Sequence, residues 1–238
     1  MVMFQKIWRE MLNVLFPPLC VACRRKILGS AVCADCENSI ELRSGFSCPE
    51  CGRRLPEATR CHGKFILAAA ASYQNEAVRE LVHVLKYQNV KSALLPLAGI
   101  INEYLKKLSA GGGSAIGGKI QNFIIVPVPL YPKRERERGF NQAELIAGIL
   151  NGKLGIAIQN DNLMRVRNTE SQIKTKSYGE REKNVAGGFK VRRPMAVAGK
   201  NVILVDDVFT SGATMREAVR VLKEAGAKKI IGFVVAKA

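Results

Sequence analysis

The 238-residue sequence has no apolar run near the roughly 20 residues that a membrane-spanning helix needs, and no long low-complexity tract. Both absences argue against an integral membrane protein and against an extended disordered chain. The first 16 residues lack the uninterrupted apolar stretch of an export signal, because Lys6, Arg9 and Glu10 break it, so a cytoplasmic location is expected. Aromatics are sparse, at 6% with a single tryptophan, which leaves little material for stacking on nucleobases. Acidic residues are also few, 20 against 37 Lys and Arg, for a formal net charge of +17. Finally, no cysteine lies outside residues 20–61, although the chain has seven.

What is present suits a folded protein: 47% hydrophobic and 24% charged residues, in a length that accommodates one α/β domain plus a small module. We place the module at residues 1–64 and the larger domain at 65–238. At the N-terminus Phe4, Trp8, Met11, Leu12 and Leu15 recur at helical spacing, which predicts a short amphipathic helix that packs on the protein, with membrane contact as the alternative.

The cysteines come in pairs. Cys20 and Cys23 form one C-x-x-C, and nine residues later Cys33 and Cys36 form another, which is the spacing of a tetrahedral zinc ribbon. Without an export signal, metal ligation is favoured over disulfides. Cys48 and Cys51 then restart the pattern, and Cys61 follows after nine more residues, but Lys64 stands where an eighth cysteine belongs. His62 is the nearby substitute for a second zinc, although its position beside Cys61 makes shared ligation awkward. Spacing alone also leaves open a pairing of Cys20/Cys23 with Cys48/Cys51. Four protein ligands leave no open position for water or substrate, so zinc here is a structural staple.

From residue 65 the pattern alternates. FILAAAA (65–71) reads as a buried strand, Asn75 caps a helix with Ala77, Val78, Leu81, Val82 and Leu85 on one face, and Leu97, Ile100, Ile101, Tyr104 and Leu105 mark a second helix. His83 reads as a core-edge or surface histidine. Residues 109–118 (SAGGGSAIGG) read as a flexible connection. FIIVPV (123–128) is a strand running into a basic loop, a helix starts at Gln142, residues 201–205 form another strand, 214–225 a helix ending at Gly226, and 230–235 a last strand. Strand and helix alternation predicts a parallel α/β sheet flanked by helices.

Residues 202–214 read VILVDDVFTSGAT. A buried strand delivers Asp206 and Asp207 at its carboxyl end, and a small polar loop then opens a helix. Thr210, Ser211, Gly212, Ala213 and Thr214 suit a phosphate, because glycine admits close approach of the backbone and a helix N-terminus favours an anion. The carboxylates suit ribose hydroxyls, directly or through magnesium-bound water. Lys133, Arg134, Arg136 and Arg138 concentrate positive charge just after the Pro127–Pro129 turn, as candidates for holding a pyrophosphate, or as a solvated run paired with Glu135 and Glu137.

The 202–214 segment resembles the phosphoribosyl pyrophosphate motif of type I phosphoribosyltransferases. Together with the cysteine module, Leu85-Lys86-Tyr87, the run from Val126 to Pro129 and on through Arg138 to Gln142, and Arg165, Arg167, Thr169, Gln172, Arg181, Asn184, Val185 and Phe189, it resembles the ComF family of competence-associated proteins over nearly the whole chain. That resemblance implies a type I phosphoribosyltransferase-like parallel sheet preceded by a zinc-ribbon module. It also implies a phosphoribosyl pyrophosphate ligand with Mg2+, single-stranded DNA as a partner during DNA uptake, and a DNA-uptake helicase or recombination proteins as further partners. Transferases of 6-oxopurines carry an acid at the position matching Thr210, where it acts as general base. A threonine there disfavours hypoxanthine or guanine and leaves orotate-like, adenine-like, amine or no acceptor open. Two functions thus stand at this stage: a binding protein of DNA uptake that keeps the ligand site, and an active phosphoribosyltransferase of nucleotide metabolism. The excess of basic residues predicts salt-dependent contact with backbone phosphates and little sequence readout, with general solubility as the plain alternative.

Overall fold

In a computed structural model of the chain, residues 17–27, 30–55, 61–87, 90–110, 122–168 and 185–238 are described. The amphipathic helix expected within residues 4–15, most of the 109–118 connection, and Thr169, Gln172, Arg181 and Asn184 lie outside them.

The apolar runs become parallel strands. β3 (Ile66–Ser72), β4 (Phe123–Pro127), β7 (Asn201–Phe209) and β8 (Ile230–Lys237) lie in the order β3-β8-β7-β4, every neighbouring pair parallel. The cysteine-rich region holds a short helix, α1 (Ala34–Asn38), and two short antiparallel strands, β1 (Phe46–Ser47) and β2 (Arg54–Leu55), that extend the same sheet beyond β3. The ribbon is thereby tied to the sheet by backbone hydrogen bonds, and by Tyr104, whose buried hydroxyl donates to the Gly45 carbonyl at 2.7 Å.

Alternate residues of each parallel strand serve opposite cores, as the two-residue period of a strand demands. One face carries Ile66, Ile125, Ile203, Val205, Ile231 and Phe233 against α2 (Glu76–Tyr87), α3 (Val90–Ala110) and α5 (Gln142–Leu154), and continues into Cys20, Val32, Phe46 and Cys48 of the ribbons. The other carries Leu67, Val126, Val202, Leu204, Ile230 and Val234 against α6 (Ala213–Glu224) and a separate hairpin, β5 (Leu163–Arg165) with β6 (Phe189–Val191). Each fully buried Leu, Ile, Val or Phe contributes about 1.5–3 kcal/mol to this double core. The predicted Asn75 cap is present, its Oδ1 accepting the Val78 N–H at 3.1 Å.

Two expectations are revised. The basic stretch after β4 is a helix, α4 (Pro132–Arg138): proline opens its first turn, and Gly139 closes it at φ 77°. And β7 does not stop at Val205 but runs through both aspartates to Phe209, because β8 continues alongside it as far as Lys237.

After β4 the chain passes to the face of α5, and after β7 to the face of α6. The two neighbouring strands therefore part at their carboxyl ends and leave a crevice, the position where open α/β sheets bind ligands.

Candidate functional site: a phosphate cleft and two metal clusters

The crevice is a cavity of about 460 Å3. Its floor is the end of β7, its rim the loop 210–214, and its far wall Val128, Pro129 and helix α4. Thr210, Ser211, Gly212, Ala213 and Thr214 all line it, together with Asp206 and Asp207. Of the four basic candidates, Arg134 and Arg138 line the cavity, whereas Lys133 and Arg136 are exposed on the helix and do not. A helix, unlike a loop, sends successive side chains in different directions, so it cannot point all four inward.

Gly212 caps α6 with φ 77°, and a Cβ there would meet the Phe209 ring at 2.4 Å. Only glycine lets the loop turn this tightly into the helix. The N-terminus of α6, with its positive dipole end, opens on the same cavity as the acids.

Asp207 is 4% exposed and pairs with Lys86, whose Nζ lies 3.1 Å from its Oδ2. Asp206 accepts the Asp207 backbone N–H at 2.9 Å. Burial, then the neighbouring Asp207 carboxylate, raises the Asp206 carboxyl up to about 7. Burial opposes the Lys86 ammonium, but the Asp207 carboxylate outweighs it and the net displacement is upward. Arg165 comes in from β5, its guanidinium 5.3 Å from the Phe189 ring centroid, and burial followed by repulsion from Arg134 lowers its pKa. Arg138 stacks at 5.1 Å over Tyr87 and donates to Gln142 at 3.1 Å. Two adjacent carboxyls that share one ion pair, one of them resisting ionisation, make a site short of positive charge. The pair fits a hard, oxygen-seeking cation such as Mg2+ arriving with a phosphorylated ligand.

Lys86 and Arg165 were visible in the sequence as family marks but not as site residues. They reach the cleft from α2 and β5, elements whose proximity to β7 only the tertiary fold creates.

The cysteines gather into two clusters: Cys20, Cys23, Cys33 and Cys36, and Cys48, Cys51, Cys61 and His62, the ligand atoms of each within 4.8 Å of one another. The alternative pairing of Cys20/Cys23 with Cys48/Cys51 is not what the fold makes. Tetrahedral zinc with bonds of about 2.3 Å to sulfur sets sulfurs about 3.8 Å apart. Cys23 and Cys33 Sγ are 3.6 Å apart, and Cys51 and Cys61 Sγ 3.8 Å. His62, despite sitting next to Cys61, turns Nδ1 to within 3.1 Å of that sulfur and 3.9 Å of Cys48 Sγ, because Gly63 takes φ 69° and folds the chain back. Burial and the surrounding sulfurs push the Cys36 thiol up to about 12, so the fourth thiolate of the first cluster needs a cation. Both donor sets fit structural zinc.

A zinc-ribbon module joined to a phosphoribosyltransferase-type sheet is thus the class that fold and site define. Residues 11–63 match the double zinc ribbon domain family, and residues 138–238 the phosphoribosyl transferase domain family. The chain is 30% identical over 225 residues to the DNA utilization protein YhgH of Salmonella typhimurium, covering 90% of this chain and 94% of that one. It is 29% identical over 209 residues to the competence protein ComFC of Bacillus subtilis, covering 82% and 79%. To competence protein F of Haemophilus influenzae it is 28% identical over 227 residues, covering 93% and 91%. The chain belongs to the ComF/YhgH family.

Among the described residues, no helix is long and apolar enough to cross a membrane.

Proposed function

We propose that this protein holds phosphoribosyl pyrophosphate with Mg2+ in the cleft between β4 and β7, and acts in the cytoplasm in DNA uptake, where it contacts single-stranded DNA through backbone phosphates. The observation that carries the ligand is the pair of adjacent carboxyls at the end of β7, served by a single Lys86 ion pair and set beside a helix-capping Thr-Ser-Gly-Ala-Thr loop in one cavity. The 5-phosphate sits on residues 210–214, the ribose hydroxyls and magnesium at Asp206 and Asp207, and the pyrophosphate against Arg134, Arg138 and Arg165. Magnesium supplies charge neutralisation at the pyrophosphate; the protein supplies orientation and a water-poor, cationic wall. We take residues 1–64 as the ribbon module and 65–238 as the sheet domain, joined through the pairing of β1 with β3.

The DNA role is supported by the names of the relatives, DNA utilization protein and competence protein, and by the charge of +17, more than one phosphorylated ligand requires. A partner helicase or recombination protein is consistent with that setting.

Calorimetry with Mg2+ and phosphoribosyl pyrophosphate on the wild type and on the doubly substituted Asp206→Asn, Asp207→Asn protein tests the ligand: equal heats would sink the site. If roughly five DNA phosphates are neutralised, affinity for a single-stranded oligonucleotide falls about 100-fold between 50 and 200 mM salt. Salt-independent or absent binding removes the DNA role. A pyrophosphate-release screen over free bases, amines and DNA decides whether the bound ligand is also turned over.

A further inference from the structure

Helix α6 begins with the phosphate loop, and one turn into it stands Arg216. Its guanidinium joins two parts of the chain that are remote in sequence. Nε and Nη2 donate to Glu50 Oε1 and Oε2 at 3.0 and 3.2 Å, a bidentate fork, while Nη1 donates to the Ser211 carbonyl at 2.6 Å. Glu50 lies inside the Cys48-x-x-Cys51 turn, and a Cβ on Gly63, the residue after His62, would meet its Cγ at 3.2 Å and Oε1 at 3.3 Å. The Glu50 side chain, though 40% exposed, therefore lies against the segment that carries Cys61 and His62 while belonging to the one that carries Cys48 and Cys51.

We propose that Arg216 is a positioning residue through which the second zinc ribbon sets the phosphate loop, so that metal at Cys48, Cys51, Cys61 and His62 and ligand at residues 210–214 bind cooperatively. The peptide plane gives the mechanism. In a trans peptide the carbonyl and the next N–H point in opposite directions, so gripping the Ser211 oxygen aims the Gly212 N–H away from Arg216. That grip matters because Gly212 lies at φ 77°, a conformation that glycine leaves readily when nothing holds it. The fork to Glu50 holds the guanidinium plane, and the metal cluster holds Glu50. Loss of metal frees the turn, the fork and then the loop. A shared structural element biased by both sites makes the coupling reciprocal.

The inference rests on the ligand reading above, and its test separates the two. Glu50→Ala, Arg216→Ala and the double variant are made in the full-length, zinc-loaded chain, with zinc content checked by atomic absorption. Three quantities are measured: hydrogen exchange of the amides in residues 210–214, affinity for phosphoribosyl pyrophosphate with Mg2+, and the rate of zinc transfer to a chromophoric chelator with and without that ligand. Each single substitution is expected to speed loop exchange and weaken ligand binding by about fivefold or more, with the double variant no worse than Arg216→Ala. Arg216→Lys recovers part of the loss, since an ammonium lacks the planar fork that serves both partners. The ligand slows zinc release in the wild type and has no such effect in Glu50→Ala. Additive losses, or a Glu50→Ala protein with wild-type loop exchange, would overturn the relay even if the ligand binds. Faster loop exchange in Glu50→Ala, with no ligand heat from the wild type, would leave the relay standing and bring down the ligand reading.

Discussion

Replacing Asp206 by asparagine should make the protein more stable and less able to bind. In the folded chain burial and Asp207 raise the Asp206 carboxyl from an ordinary 3.8 up to about 7. Between those values the folded state keeps a proton that the unfolded state has released, so stability falls as pH rises through this window and stays low above it. Each tenfold change in proton affinity is worth about 1.4 kcal/mol, which sets a ceiling of about 4 kcal/mol. Asp206 keeps partial contact with solvent, so about 1–3 kcal/mol is the expected cost of its charge at pH 8. The neutral amide of Asp206→Asn has the same shape without that cost. For a chain of this size each kcal/mol moves Tm by roughly 2–4 °C, so a gain of roughly 2–12 °C is expected at pH 8. Thermal melts of zinc-loaded wild type and variant between pH 6 and 8.5, followed by near-UV circular dichroism, measure it. The gain should be largest above pH 7 and narrow below. Calorimetry on the same samples should show Mg2+-dependent phosphoribosyl pyrophosphate binding weakened at least about tenfold, and, in the wild type, binding that tightens from pH 6 to 8 as the carboxyl ionises. A variant that melts lower than wild type at pH 8, or a gain independent of pH, would refute the reasoning.

Three further substitutions probe the same scaffold. Gly212→Ala forces a side chain into φ 77° and against the Phe209 ring, and should cost about 1–3 kcal/mol in urea unfolding and abolish ligand heat; wild-type binding would remove the loop from the site. Lys86→Met strips Asp207 of its one neighbouring cation and should destabilise by about 3 kcal/mol at pH 8, a loss that Asp207→Asn in the same chain largely restores; additive losses would show that the ion pair is not what matters. Tyr104→Phe deletes the hydroxyl that donates to Gly45 and should cost about 1–2 kcal/mol, with the extra exchange confined to amides near residues 45–47 if that bond ties the ribbon edge to α3.

Much of this was legible in the chain because the signals are local. The apolar runs at 65–71, 123–128 and 201–205 are continuous since both faces of a parallel sheet are covered, and the C-x-x-C pairs carry their geometry in their spacing. The two-residue strands β1 and β2 give no periodicity at all, so the ribbon's place on the sheet edge had to come from the fold. The α4 helix was missed by weighing charge over form: PKRERER opens on proline and ends before a glycine, both of them helix punctuation. For His62 the objection of adjacency to Cys61 fails because it assumed an extended chain, whereas Gly63 bends it. Lys86 and Arg165 were not assignable to the cleft by any pattern, since both are distant from the aspartates in sequence and meet them only in the fold, and the same is true of Arg216 and Glu50.

The chemistry of the cleft divides holding from turnover. Among the described lining residues the only carboxyl groups are Asp206 and Asp207, one paired with Lys86 and the other held reluctant to ionise. Both are best satisfied by a cation, and a carboxylate engaged by magnesium is a poor base. The loop position where an acid could take a proton from an acceptor is Thr210, a hydroxyl with no proton affinity to offer near neutral pH. Opposite it stand Arg134, Arg138 and Arg165, which can stabilise departing negative charge but cannot activate a nucleophile. His83, on the exposed side of α2 with its ring 5.0 Å from that of Tyr87, also lines the cavity and is the side chain there that can take a proton from an acceptor. If turnover occurs, an acceptor that needs a base depends on His83: His83→Gln should abolish pyrophosphate release with a hydroxyl or ring N–H acceptor and spare release with a free amine or an anion, and equal release from both proteins would refute that role.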